Sequence, residues 1–167
     1  MAYRNKIYIA FDGDKDIHYY RLLTAWSSND KFDFTFYNAH DLNSARDSST
    51  EESIKRQLRE RFQNSKLFVL LVGESTKYLY KFVQWEIETA LKLELPIIVI
   101  NLNKKRSRDE NRCPAILRDA LAIHISYEMN IIEYAIKNWP DSHLKHKKNN
   151  DISAYHYPQE LYRKLGL

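Results

Sequence analysis

Three glycines in 167 residues leave little material for the backbone cradles that usually hold phosphate groups. Neither a Walker loop nor a GxGxxG fingerprint, both of which need glycines at fixed spacing, can be written anywhere in the chain, so the common nucleotide-binding loops are excluded. Cysteine is scarcer still. The single Cys113 excludes an internal disulfide and any multi-cysteine metal cage, in keeping with a reducing compartment, and a small residue ahead of Pro114 accounts for it. Long apolar runs are also missing. Nothing approaches the roughly 18 residues of a membrane span, and the opening "MAYRNKIYIAF" is too short an apolar run for a signal peptide. A soluble, cytoplasmic protein without membrane association is expected.

Charge excludes less than its total suggests. The formal net charge is +4 and the pI is near 9.0, but much of the excess is local, in Asn103–Arg112 and His143–Asn150. Both stretches are polar and read as solvated loops. No aromatic residue interleaves with their basic residues, so no stacking platform for nucleic acid is expected. The six histidines are scattered, none at i, i+4 to another on an expected helix, and no metal site is expected. No G-x-S-x-G elbow occurs and Cys113 has no identifiable partner, which leaves nucleophilic triads unsupported. The acids of "DGDKD" (Asp12, Asp14, Asp16) fail as an EF-hand, because Ile17 and Leu23 stand where Gly and Glu are needed. They fail as a phosphoacceptor site too, since the third and fifth strands end without the required Asp and Lys. Asp16 as a helix cap and Asp12 and Asp14 as turn residues compete with a direct ligand role.

What the chain does have is a regular alternation. Strands are expected at Lys6–Phe11, Phe32–Tyr37, Lys66–Val72, Pro96–Leu102 and Ala122–Tyr127. Helices are expected at Asp16–Trp26, Thr50–Asn64, from Lys81 to Leu93, over "PAILRDAL", and at Asn130–Trp139, where Pro140 should stop the last. Ser49 and Glu52 write a capping box for the second helix. The unbroken apolar runs of the third and fourth strands imply burial on both faces. This pattern predicts an α/β, flavodoxin-like, five-stranded parallel sheet of order 2-1-3-4-5 with helices on both faces. The boundaries are a domain over 1–140 and a polar basic extension over 141–167, which carries one short packed turn or helix. Ligands of such sheets bind beyond the carboxyl ends of the strands where the order reverses. That rule selects "FDGDKD", "NAHDLNSARDSS" and "GESTKYLYKF".

One residue stands out against this background. On the helix "KFVQWEIETALKL", Leu79, Phe82, Val83, Ile87, Ala90, Leu91 and Leu93 gather on one arc with Glu86 inside it, while Glu88 points away. A buried carboxylate is costly unless it has a cation, a donor or a task. An ion pair with Lys81, Arg46 or Lys77 is the plain reading; the helix's place at the third-strand edge favours function.

At this point "YIAFDGDKDIHYYRLLTAW", "FDFTFY", "IKRQLRERFQNSKLFVLLVGEST" and "FVQWEIETALKLELPIIVI" resemble, in order and spacing, the bacterial TIR-like proteins of the Thoeris antiphage type, from about Lys6 to Trp139. The V-G-x-x-T turn followed by W-E-I-x-x-A is the most specific part. The resemblance implies a TIR-like fold and an NAD nucleosidase or ADP-ribosyl cyclase-type glycohydrolase, with NAD as substrate rather than cofactor and Glu86 as the catalytic glutamate. It further implies a cyclic or conjugated ADP-ribose signal that reaches a separate effector, self-association on activation and a phage-derived trigger. Phe82-Val83 stands where relatives often have Trp-Val and keeps an aromatic wall. Phe11 and Trp85 are candidate walls, Trp85 alternatively on the outer helix face. Asp12, Arg46, Ser48 and Lys77 are candidate contacts to ribose or phosphate, though each taken singly reads better as a solvated loop residue. A non-catalytic TIR-like adaptor is the alternative, and a nucleoside hydrolase a third reading.

Overall fold

The computed structural model describes residues 6–28, 35–38 and 50–167. Six strands form one sheet: β1 (Lys6–Ala10), β2 (Thr35–Asn38), β3 (Ser65–Val72), β4 (Ile97–Asn101), β5 (Ala122–Ser126) and β6 (Ala154–His156). Their spatial order is β2-β1-β3-β4-β5-β6 and every pairing is parallel. The helices are α1 (Ile17–Ser27), α2 (Glu51–Gln63), α3 (Val83–Lys92), α4 (Met129–Lys148) and α5 (Gln159–Lys164).

Alternation along the strands divides the interior into two cores. Ile7 and Ile9 of β1, Leu67, Val69 and Leu71 of β3, Ile98 and Ile100 of β4, and Ile123 and Ile125 of β5 pack with α1, α4 and Tyr162 of α5. The intervening residues Tyr8, Ala10, Phe68, Leu70, Val72 and Val99 face Ile54, Leu58 and Phe62 of α2 and Val83, Ile87 and Ala90 of α3. Both faces of β3 and β4 are therefore dry, and this is why those strands read as continuous apolar runs.

The expected elements differ from the observed ones where tertiary contacts outweigh local signals. The sheet has six strands rather than five, because the chain beyond the expected domain adds β6 alongside β5 and seats Tyr162 in the core, fully buried. Pro140 does not end α4. The helix continues to Lys148, and its buried face carries on from Trp139 past the proline to His143, with Trp139 and His146 contacting Tyr155 of β6. An interior proline costs a helix about 3 kcal/mol, which this packing offsets. The cap of α2 is Thr50, whose hydroxyl accepts from the Ser53 N–H at 3.1 Å; Ser49 of the expected capping box lies outside the described residues. "PAILRDAL" supplies only a 3₁₀ turn at Ala115–Leu117. Leu93, placed on the apolar arc by its angle, is 47% exposed beyond the end of α3.

The basic stretch Asn103–Arg112 is the solvated loop expected, with Asp109 as its one buried residue. Asp109, 2% exposed, accepts from the Asn103 side chain at 2.8 Å and from the Asn111 and Arg112 N–H groups at 2.8 and 3.0 Å. Arg106 lies over the Tyr162 ring at 4.3 Å, donates to Gln159 at 2.7 Å and pairs with Glu128. No described helix is long and apolar enough to cross a membrane.

Candidate active site

The order of the sheet reverses between β1 and β3, and a cavity of about 350 Å³ opens beyond their carboxyl ends. One wall is Phe11, Asp12, Gly13 and Asp14, the turn after β1; the other is Tyr78 to Val83, the approach to α3. Phe11 is held flat against Tyr20 of α1, ring centroids 4.9 Å apart. Asp12 is 4% exposed, and its Oδ1 accepts from the N–H groups of Asp14 and Lys15 at 3.0 and 3.3 Å, so its carboxylate organises the turn. Phe82 occupies the cap position of α3 and is nearly buried.

Asp16 follows from the same turn. It stands at the cap position of α1, yet its side chain caps no N–H; it lies against Gly73 at the end of β3, where a Cβ would come within 2.3 Å of Oδ2. Burial, with the Asp12 charge adding to it, raises its pKa above the ordinary carboxyl value. Gly73 is thus required by close approach. Among the described residues no group of three or more His, Cys, Asp or Glu side chains is arranged to hold a metal ion.

Glu86 sits one helical turn beyond Phe82, its N–H donating to the Phe82 carbonyl at 2.8 Å. Its side chain is 1% exposed and points into the core. Of the expected cations, Lys77 and Lys81 turn to Asn111 and Glu51 instead, and Arg46 lies outside the described residues. The hydroxyl of Tyr8, from β1, donates to Glu86 Oε2. Burial pushes the Glu86 carboxyl up to about 8, the Tyr8 hydrogen bond pulling the other way. Tyr8 is itself raised well above the usual phenol range, chiefly by burial and then by the Glu86 charge, with Arg61 opposing. Burial thus favours the protonated form of Glu86 in this seat.

The proposed contacts divide around this geometry. Phe11, Asp12 and Phe82 meet at the cavity. Trp85 does not: it faces α2, edge-on to Phe62 at 6.2 Å, with Lys55 and Arg59 over its ring at 5.5 and 5.7 Å. Lys77 reaches away to the Asn111 carbonyl at 2.5 Å and lines a neighbouring cavity of about 540 Å³ bounded by Cys113 and Arg118. Arg46 and Ser48 lie outside the described residues. Tyr8 was missed as a site residue. Its signal was available: in a strand of period two, Tyr8 faces the same core as Ala10, and a buried phenol needs an acceptor.

The model of the Thoeris protein ThsB, TIR-like domain, matches residues 8–107, more than half of the chain. The chain belongs to the Thoeris ThsB TIR-like family. Membership brings a role in antiphage defence of the Thoeris kind. The matched span of this ThsB-family chain runs from Tyr8 to the basic loop after β4 and includes Phe11, Asp12, Phe82 and Glu86.

Proposed function

We propose that this ThsB-family protein is a cytoplasmic enzyme that cleaves NAD and releases an ADP-ribose-derived nucleotide, cyclic or conjugated, as a signal to a separate effector after a phage-derived trigger. The observation that carries the reading is a carboxyl group at the edge where the sheet order reverses, one turn beneath the aromatic floor of a cavity formed by Phe11, Asp12 and Phe82. Nicotinamide leaves as a neutral ring. The bond between its nitrogen and ribose C1′ breaks with the electron pair going to nitrogen, and positive charge develops on the ribose. An ionised Glu86 against that ribose stabilises the charge and accepts from its hydroxyls. A water or hydroxyl oxygen then attacks C1′ and gives up its proton. Phe11 and Phe82 supply flat apolar surface for the base, and Asp12 faces the sugar. Low dielectric around Val83 and Phe82 strengthens the carboxylate's effect.

The test is Glu86→Gln in cells challenged with phage and in purified, triggered protein. Nicotinamide release should fall by about a hundredfold or more, the usual cost of removing a transition-state charge partner. Release at the parental rate refutes the assignment. The adaptor reading draws support from Tyr78 and Tyr80, 59% and 68% exposed on the ridge between the two cavities, and from the absence of Glu86 from the cavity lining. It predicts no turnover under any condition and partner binding that survives the Gln substitution.

A further inference from the structure

Glu86 and its cavity are adjacent but not joined. The cavity is lined by Phe82 and Val83, and the acid beneath them is shut off from solvent. Helical side chains lean toward the helix N-terminus, so the path of the Glu86 carboxyl to the cavity runs through the space Phe82 now fills. The donor holding the acid back is fixed on all sides. Tyr8 is fully buried in a strand paired with β2 and β3, its ring lies on Phe62 at 3.8 Å and 11°, and Phe68 packs at 5.8 Å. Phe62 is backed in turn by Trp85. Tyr8 cannot follow the carboxyl out.

We propose that Tyr8 is a positioning residue that holds Glu86 in a withdrawn seat beneath Phe82, and that turnover begins when the carboxyl leaves this seat for the cavity. The second half rests on the NAD-cleavage reading above; the seat itself does not. Among the described residues, the groups that shift the seated acid and its donor are Tyr8 from β1 and, acting on the Tyr8 hydroxyl, Arg61 from α2, while β3 and β4 turn Phe68, Leu70, Val72, Ile97 and Val99 toward that core. Leaving the seat therefore breaks the Tyr8 hydrogen bond and, among the described residues, no ion pair. It also changes the acid's protonation. Seated, Glu86 holds its proton up to about pH 8; in a wet cavity a carboxyl ionises in the ordinary range, and the ribose needs the ionised form. Departure and ionisation are thus the same event.

Tyr8→Phe tests this. It keeps the ring stack, removes the donor and leaves the seated acid short of a partner, which shifts the balance toward the cavity by about tenfold. Untriggered release of nicotinamide at neutral pH should rise by that factor, and the pH midpoint of the untriggered rate should move down. Adding Glu86→Gln to Tyr8→Phe should remove the gain and lower release by about a hundredfold or more. A tyrosine that serves only packing gives an equal or lower rate with an unmoved midpoint, and that result overturns the proposal. The second readout needs no turnover. The infrared band of the Glu86 carboxyl, assigned by subtracting the Gln variant's spectrum, should titrate far above an ordinary glutamate in the wild-type protein. An ordinary midpoint there overturns the seat even where Tyr8→Phe fails to fold. A high midpoint with no nicotinamide release from any variant leaves the seat standing and sinks the NAD reading instead.

Discussion

Glu86→Gln should stabilise the folded protein at neutral pH and do nothing in acid. Burial raises the carboxyl from the ordinary 4.5 to about 8 in the folded state. The unfolded chain ionises it near the ordinary value, so across that window the folded state keeps a proton that the unfolded state has lost. With more protons bound to the folded form, stability falls as pH rises from about 4.5 to about 8 and is level beyond. At about 1.4 kcal/mol per tenfold change in proton affinity, the loss is about 3 kcal/mol at pH 7 and about 4 kcal/mol at pH 8. Glutamine has the same shape, cannot ionise, and can accept the Tyr8 O–H through its carbonyl. For a chain of this size about 1 kcal/mol moves Tm by about 2–4 °C, so the variant should melt about 6–12 °C above the parent at pH 7. Thermal or urea melts of both proteins between about pH 4 and pH 9 measure the difference directly. A gap that stays constant across the range, or a Gln variant less stable than the parent at pH 8, refutes the burial argument. A gap that opens as expected also bears on purpose, since an acid retained at such a cost to stability is kept for activity.

Gly73→Ala should destabilise the fold by about 1–3 kcal/mol, because the new Cβ meets Asp16 Oδ2 at 2.3 Å between the end of β3 and the start of α1. Adding Asp16→Ala should recover much of that loss in a thermal melt; a double variant no more stable than the single one shows that the strain lies elsewhere. Pro140→Ala should raise stability by about 1–2 kcal/mol, since it restores a helical N–H inside α4 against a smaller gain in unfolded-chain freedom. A lower midpoint in urea would mean that the bend set by the proline is needed to bring Trp139 and His146 onto Tyr155.

The elements that could be read from the sequence are those whose burial leaves a local trace. Leu67–Val72 and Ile97–Ile100 are apolar on both sides because both sides are covered, and the placement of Glu86 on the inner arc of α3 followed from spacing alone. The misreadings share a cause, a distant partner. Pro140 is a stop signal only where nothing packs beyond it, and β6 does. Arg106 reads as a loop charge until Tyr162 arrives from more than fifty residues away. Trp85 was a possible wall of the cavity by proximity in sequence to Glu86, but it turns to α2 because Phe62, Lys55 and Arg59 offer it a fuller contact there. The partner of Glu86 was sought among cations nearby on the chain; it is a phenol 78 residues earlier, supplied across the sheet by β1. Arg46 and Ser48 fall outside the described residues and so stand as they did on reading the chain.

The loop after β4 is bolted at two ends. Arg106 grips the C-terminal helix through Tyr162 and Gln159, while Asn111 receives Lys77 and Arg112 pairs with Glu74, both from the turn that follows β3. A strut thus runs from the last residues of the chain to the threshold of α3. Removing or altering α5 is therefore a manipulation of the candidate site's frame, and assays on such material should be compared with protein that keeps α5 before any residue is blamed for a change in rate.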